Sequence, residues 1–82
     1  MADNTTLTLY TRQGCHLCED MLKSLEKMQK IYGFSLNIVD IDTDEFLQRR
    51  YGEWVPVLMA GEQELFHYHL DEQVLRTYFK ST

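Results

Sequence analysis

Leu9-Tyr10-Thr11-Arg12-Gln13-Gly14-Cys15-His16-Leu17-Cys18 is the stretch on which the reading of this chain turns. An extended apolar run breaks at Gly14, and a helical period begins behind it. The chain's two cysteines fall on that junction, three positions apart. One sulfur then sits at a helix N-terminus and the other one turn further in, close enough to bond. A bridge across so short a loop removes little chain entropy, roughly 2 kcal/mol, so it would be a poor structural staple. The chemistry this spacing suggests is dithiol–disulfide exchange.

Working outward, Leu7 and Leu9 mark a first strand. Met21, Leu22, Leu25, Met28 and Tyr32 recur as one face of a helix that starts near Cys18 and stops at Gly33. Residues 34–41 alternate and then turn β-branched, which suits a second strand returning parallel to the first. Asp42 followed by Glu45 forms a capping-box pattern ahead of a short helix carrying Phe46, Leu47 and Tyr51 and closed by Gly52. Residues 55–59 read as a third strand with Pro56 at its start, because a proline in mid-ladder would remove a donor. Gly61-Glu62 turns the chain into a fourth strand at residues 65–68, and Asp71 caps a last helix with Val74, Leu75, Tyr78 and Phe79 on one face. The order βαβαββα predicts an α/β domain, a four-stranded mixed sheet with helices on both faces, which is the layout of the minimal thioredoxin fold.

The bulk properties narrow the function. With 82 residues and 44% hydrophobic content, residues 1–82 are expected to form one domain. A formal charge of -5 argues against a nucleic-acid partner, whose phosphates need a basic surface, and no basic run suggests a membrane surface. The start of the chain, Met1-Ala2-Asp3-Asn4-Thr5-Thr6, has no basic patch followed by an apolar core, so a cytoplasmic location is the expectation. There most cysteines are kept reduced, and a lone CxxC serves catalysis or metal binding more often than structure. A monomer is expected.

Only a thiolate attacks a disulfide, and an ordinary cysteine near pKa 8.5 is mostly protonated at neutral pH. Cys15 would lie among the unsatisfied N–H groups of the first helical turn, whose partial positive charge favours an anion. That makes Cys15 the expected nucleophile and Cys18, on the apolar face, the resolving thiol. Arg12 and His16 add positive charge nearby, whereas Glu19 and Asp20 oppose a thiolate and are read as water-facing residues that stabilise the helix start. On local sequence Pro56 is expected to be trans, since cis is uncommon even before proline; a cis bond would present the Val55 backbone for strand-like pairing with a substrate.

Taken together, residues 9–18, Val39-Asp40-Ile41-Asp42 and Trp54-Val55-Pro56-Val57-Leu58 resemble the glutaredoxins, specifically the small bacterial glutaredoxin-like proteins, over nearly the whole chain. The resemblance implies Cys15 as nucleophile, Cys18 as resolving thiol and Pro56 as a cis-proline facing them. It also implies glutathione as a co-substrate, with Arg12 in the place of the basic residue that helps hold it, and no covalently bound cofactor. Three positions depart from the pattern: His16-Leu17 replaces a Pro-aromatic pair, Trp54 replaces a threonine, and Tyr68-His69-Leu70 stands where a Gly-Gly pair precedes the last helix. Bulky residues there are expected to remodel the pocket for the γ-glutamyl end, leaving Val55 for backbone pairing and Asp71 or Glu72 for an ammonium group. The partner is either glutathione or a disulfide-containing protein.

Metal or iron–sulfur cluster binding is the alternative on the same fold, with Cys15 from two chains and two glutathiones, or with Cys15, Cys18, His16 and His67 or His69 as ligands. A zinc ribbon needs a second cysteine pair, which this chain lacks. His67 and His69 are read as ordinary residues of one edge-strand face, and Arg49-Arg50 as a solvated helix end. Trp54 is open to two readings, a cover at the edge of the site or a core plug.

Overall fold

The computed structural model describes residues 5–80. The elements run β1 (Thr6–Thr11), α1 (His16–Tyr32), β2 (Ser35–Asp40), a 3-10 turn (Ile41–Thr43), α2 (Glu45–Tyr51), β3 (Val57–Ala60), β4 (Gln63–His67) and α3 (Glu72–Lys80). The sheet order is β2-β1-β3-β4. β1 and β2 are parallel from Thr6 opposite Ser35 to Thr11 opposite Asp40, as expected for two strands joined through a helix. β3 lies antiparallel to both β1 and β4, with a register irregularity between Leu58 and Met59. This is the mixed α/β thioredoxin-like architecture that the order of elements predicts.

Strand alternation sorts the apolar side chains into two clusters. Leu7, Leu9 and Leu58 point to the face covered by α1 and α3, where they meet Met21, Leu25, Phe34, Leu65, Phe66 and Leu75. The neighbours of Leu58 in β3, Val57 and Met59, point the other way and join Ile41, Tyr51, Val55 and Cys18. Helices therefore do cover both faces, two on one side and the short α2 on the other. Tyr10 of β1 stacks on Tyr51 of α2 at 4.4 Å between ring centroids, which ties α2 to the sheet. On the larger side Phe79 of α3 stacks on Tyr32 and Phe34, at 4.9 and 5.4 Å.

Several boundaries differ from the sequence reading, each for a local reason. Helix α1 begins at His16, because Cys15 itself is the N-cap. The expected capping box at Asp42 does not form: Asp44 is the N-cap of α2, its carboxylate accepting the Phe46 N–H at 2.8 Å. Asp42 instead belongs to the 3-10 turn, which Asp40 caps by accepting the Asp42 N–H at 2.9 Å. Phe46 is 66% exposed, so α2 buries Tyr51 and part of Leu47 rather than a full apolar stripe. β4 starts and ends earlier than expected, so His67 closes the strand and His69 lies outside it. The start of the chain, from which a location is expected, has its first four residues outside the described ones.

Gly33 ends α1 as the sequence indicates. Its backbone is left-handed, φ 74°, and its N–H donates to the Gln29 carbonyl at 2.8 Å. A Cβ there has nothing within 4 Å, so the cost of Gly33→Ala is conformational rather than steric crowding by neighbours. That cost is about 1–2 kcal/mol, and in a domain of this size each kcal/mol lowers the melting midpoint by about 4–8 °C. A thermal melt of Gly33→Ala is expected to show that drop; an unchanged midpoint would remove the cap from the account of where α1 stops.

Candidate active site

Cys15 caps α1 with its own side chain. Its backbone is extended (φ -100°, ψ 107°), and its Sγ accepts the Cys18 N–H at 3.1 Å. The Cys15 carbonyl accepts the Glu19 N–H at 3.1 Å, so the helix propagates directly from the cysteine. Cys15 and Cys18 form a disulfide, with Cα atoms 5.2 Å apart. Cys15 is half-buried, whereas Cys18 is only 4% exposed. The asymmetry follows from helix geometry, because the N-cap lies at the lip of the fold while the residue one turn on faces the smaller apolar cluster. Reduction would therefore yield one accessible sulfur facing helix N–H donors and one sulfur held behind it.

The loop after α2 closes over the same cluster. Val55 packs there with Cys18, and Cys15 lies against it. The Val55-Pro56 bond is cis, in line with the family resemblance and against the local expectation. Trp54 and Val55 both donate their N–H groups to the Tyr51 carbonyl, at 2.8 and 3.1 Å. A substrate strand that uses the Val55 N–H has to displace that bond.

Tyr68 is the functional-loop residue that sequence reasoning underrated. It is the one non-glycine among the described residues with positive φ, 66°. Such a backbone is costly for an aromatic residue. Its N–H donates to the Pro56 carbonyl at 2.9 Å and its hydroxyl to the Glu53 carbonyl at 2.7 Å, so it straps both ends of the Glu53–Pro56 loop. The signal was present in the sequence: an aromatic residue occupies a place where the resemblance puts glycine.

The remaining candidates divide between the site and its supports. Arg12 holds the Asp42 carboxylate through Nη2 at 2.9 Å and Nε at 3.2 Å, and its Nη1 donates to the Gly52 carbonyl at 3.3 Å. It nonetheless lines a groove of about 120 Å³ together with Cys18 and Glu19. The Asp71 carboxylate accepts the Gln73 and Val74 N–H groups at 3.1 and 3.2 Å, which makes it the cap of α3. Leu17, Asp20, Met21 and Ser24 of α1 face Tyr68, His69 and Leu70 across a groove of about 340 Å³. Glu19 and Asp20 are exposed to water, as expected.

Trp54 is 47% exposed and so is not a core plug. Its ring meets His67 edge-on at 5.3 Å and Tyr68 at 6.1 Å, forming a small aromatic cluster. His67 Nδ1 lies 2.6 Å from the Glu64 carboxylate. Among the described residues no three His, Cys, Asp or Glu side chains converge as a metal site. Among them, too, no helix is long and apolar enough to cross a membrane.

A disulfide-linked CxxC at the first turn of α1, packed beside a cis-proline loop on a β2-β1-β3-β4 sheet, defines a thioredoxin-superfamily protein with a redox-capable cysteine pair. The chain belongs to the glutaredoxin-like family: residues 6–80 match the family described as Glutaredoxin-like domain (DUF836). It is similar to a Nitrosomonas europaea protein solved by solution NMR, with 44% identity, 95% of this chain and 94% of that chain covered, and a TM-score of 0.85. An X-ray structure of a protein from X. campestris is 34% identical over 93% of this chain and 97% of that one, with a TM-score of 0.74. The germline-specific thioredoxin Deadhead of Drosophila melanogaster, 20% identical, shares the fold with a TM-score of 0.61 over 96% of this chain and 81% of its own.

Proposed function

We propose that the protein is a dithiol–disulfide oxidoreductase in which Cys15 attacks and Cys18 resolves. The observation that carries this reading is the N-cap geometry: an accessible Cys15 Sγ that accepts the Cys18 N–H, joined to a Cys18 sulfur that water scarcely reaches. The reduced Cys15 thiolate attacks one sulfur of a substrate disulfide; the substrate S–S bond breaks, a Cys15 mixed disulfide forms, and the departing thiolate takes up a proton. Cys18 then loses its proton and attacks the Cys15 sulfur, which releases the second substrate thiolate and restores the Cys15–Cys18 disulfide. Two electrons pass from the protein to the substrate. A low-mass thiol or a dithiol reductase returns them in the next cycle.

Val55, which packs in one cluster with Cys18, and the cis Pro56 after it support a substrate edge here: an extended substrate segment would pair along the Val55 backbone. Disulfides of proteins and mixed disulfides with glutathione are both substrates of the right chemistry, and a reducing compartment such as the cytoplasm supplies the thiol electrons. A metal held by this chain alone would need further ligands, and none converges on Cys15 and Cys18 among the described residues.

Cys18→Ser tests the order of events. Incubated with a disulfide-containing peptide, this variant is expected to accumulate a mixed disulfide at Cys15 that intact-mass and peptide-mapping spectrometry will locate. If the adduct instead accumulates at Cys18 in a Cys15→Ser protein and none forms at Cys15, the roles are reversed.

A further inference from the structure

The Arg12 guanidinium lines one small groove with Cys18 and Glu19. A free guanidinium there would draw anions towards the sulfurs. Yet each of its three nitrogens is already engaged: Nε and Nη2 both grip Asp42, and Nη1 is on the Gly52 carbonyl. Arg12 and Asp42 are 41% and 38% exposed, so the pair faces water and cancels its own charge locally. What remains beside the cysteines is acidic. Glu19 lies in the Cys18 groove, and Asp20 lies in the larger groove with Leu17 and Tyr68. His16 is the remaining basic side chain on the turn, exposed and next to Cys15.

We propose that Asp42 sets the charge preference of the cysteine site: by holding Arg12 it withdraws the local cation, so that disulfides with basic or neutral flanks are accepted over anionic ones. Asp42 touches no reacting atom and acts through Arg12. The substrate half of this inference rests on the disulfide-exchange reading above, whereas the electrostatic half can be measured without turnover. Asp42→Ala is a clean probe, because the bonds that shape the 3-10 turn use the Asp42 backbone: its N–H donates to Asp40, and its carbonyl accepts from Gln48 Nε2 at 3.0 Å.

The test compares alkylation of reduced Cys15 by anionic iodoacetate and neutral iodoacetamide at low ionic strength. An exposed charge of this kind is worth up to about 1 kcal/mol, so Asp42→Ala is expected to raise the iodoacetate rate roughly three- to fivefold relative to iodoacetamide. The gain will fall away in high salt, and the double variant Arg12→Gln/Asp42→Ala will return the ratio to the wild-type value. Equal changes with both reagents, or a gain that survives in the double variant, overturn the proposal. Asp42→Asn, which keeps the side chain's size and removes its charge, serves if Asp42→Ala does not fold: the same roughly three- to fivefold rise in the iodoacetate rate relative to iodoacetamide is expected, and an unchanged ratio overturns the proposal. In parallel, two peptide disulfides that differ only in lysine or glutamate flanks are offered to the wild type. A higher kcat/KM for the lysine peptide supports the inference, and the reverse order overturns it. Failure to turn over either peptide refutes the reductase reading and leaves the alkylation ratio to judge Asp42.

Discussion

Cys15→Ser will bring disulfide reduction down to the uncatalysed rate, the largest functional loss expected from any single change in the chain. A serine hydroxyl is a far weaker nucleophile than a thiolate towards sulfur and cannot form the mixed disulfide through which exchange proceeds. The substitution should spare the fold. Serine is among the best N-cap residues, and its hydroxyl can accept the Cys18 N–H that Cys15 Sγ accepts now. The lost disulfide spans three positions, a loop so short that its contribution is about 2 kcal/mol or less. Coupled assays with either a glutathione or a reductase regenerating system, run beside a thermal melt, separate the two effects. A variant that melts close to the reduced wild type but keeps more than about a hundredth of its activity would show that Cys15 is not the attacking group.

The largest loss of stability is expected from Leu58→Ala. Leu58 is fully buried on β3, opposite Leu9 of β1 and Phe66 of β4, at the centre of the larger cluster. Truncating such a leucine removes buried methyl groups and leaves a cavity that a three-layer packing cannot close, at a cost of about 2–5 kcal/mol. Domains near this size have about 5–15 kcal/mol in total, with small ones towards the lower end. At about 4–8 °C per kcal/mol the midpoint should fall by on the order of 10 °C or more. A thermal melt followed by circular dichroism measures this directly, and a midpoint within about 3 °C of wild type would contradict the placement of Leu58 in the core. Under folding conditions the variant should retain the Cys15 alkylation rate, because the cysteines pack against Val57 and Met59 on the other side of β3.

How far the sequence could be read depended on whether the deciding interaction was local. The periodicity of Met21, Leu22, Leu25 and Met28, the glycine stop at Gly33 and the β-branched run before Ile41 are each set by neighbours within a turn or two. The thioredoxin-like order of elements and the cysteine turn followed from them. Asp42 was read as a helix cap because caps look alike in sequence; its partner, Arg12, is thirty positions away and only the parallel pairing of β1 with β2 brings them together. His67 and His69 looked like one face of a strand, but Tyr68 adopts a left-handed backbone between them and ends the alternation. The cis bond at Val55-Pro56 could not be inferred from its dipeptide, and the likeness to a family supplied it. Trp54 stayed ambiguous because an aromatic residue beside a proline serves a core or a surface equally well, and its exposure is decided by His67 and Tyr68.

The alternation of three neighbouring β3 residues carries a broader consequence. Leu58 faces one cluster, while Val57 and Met59 face the other, and Cys18 belongs to the second. Durability and reactivity are thereby housed on opposite sides of a single strand. The side shared by α1 and α3 serves as a chassis, and the side under α2 is a small cartridge that carries the sulfur bond apart from it. Such a separation means that a substitution beside Val57 or Met59 reaches the cysteine side of the strand, and one beside Leu58 reaches the frame.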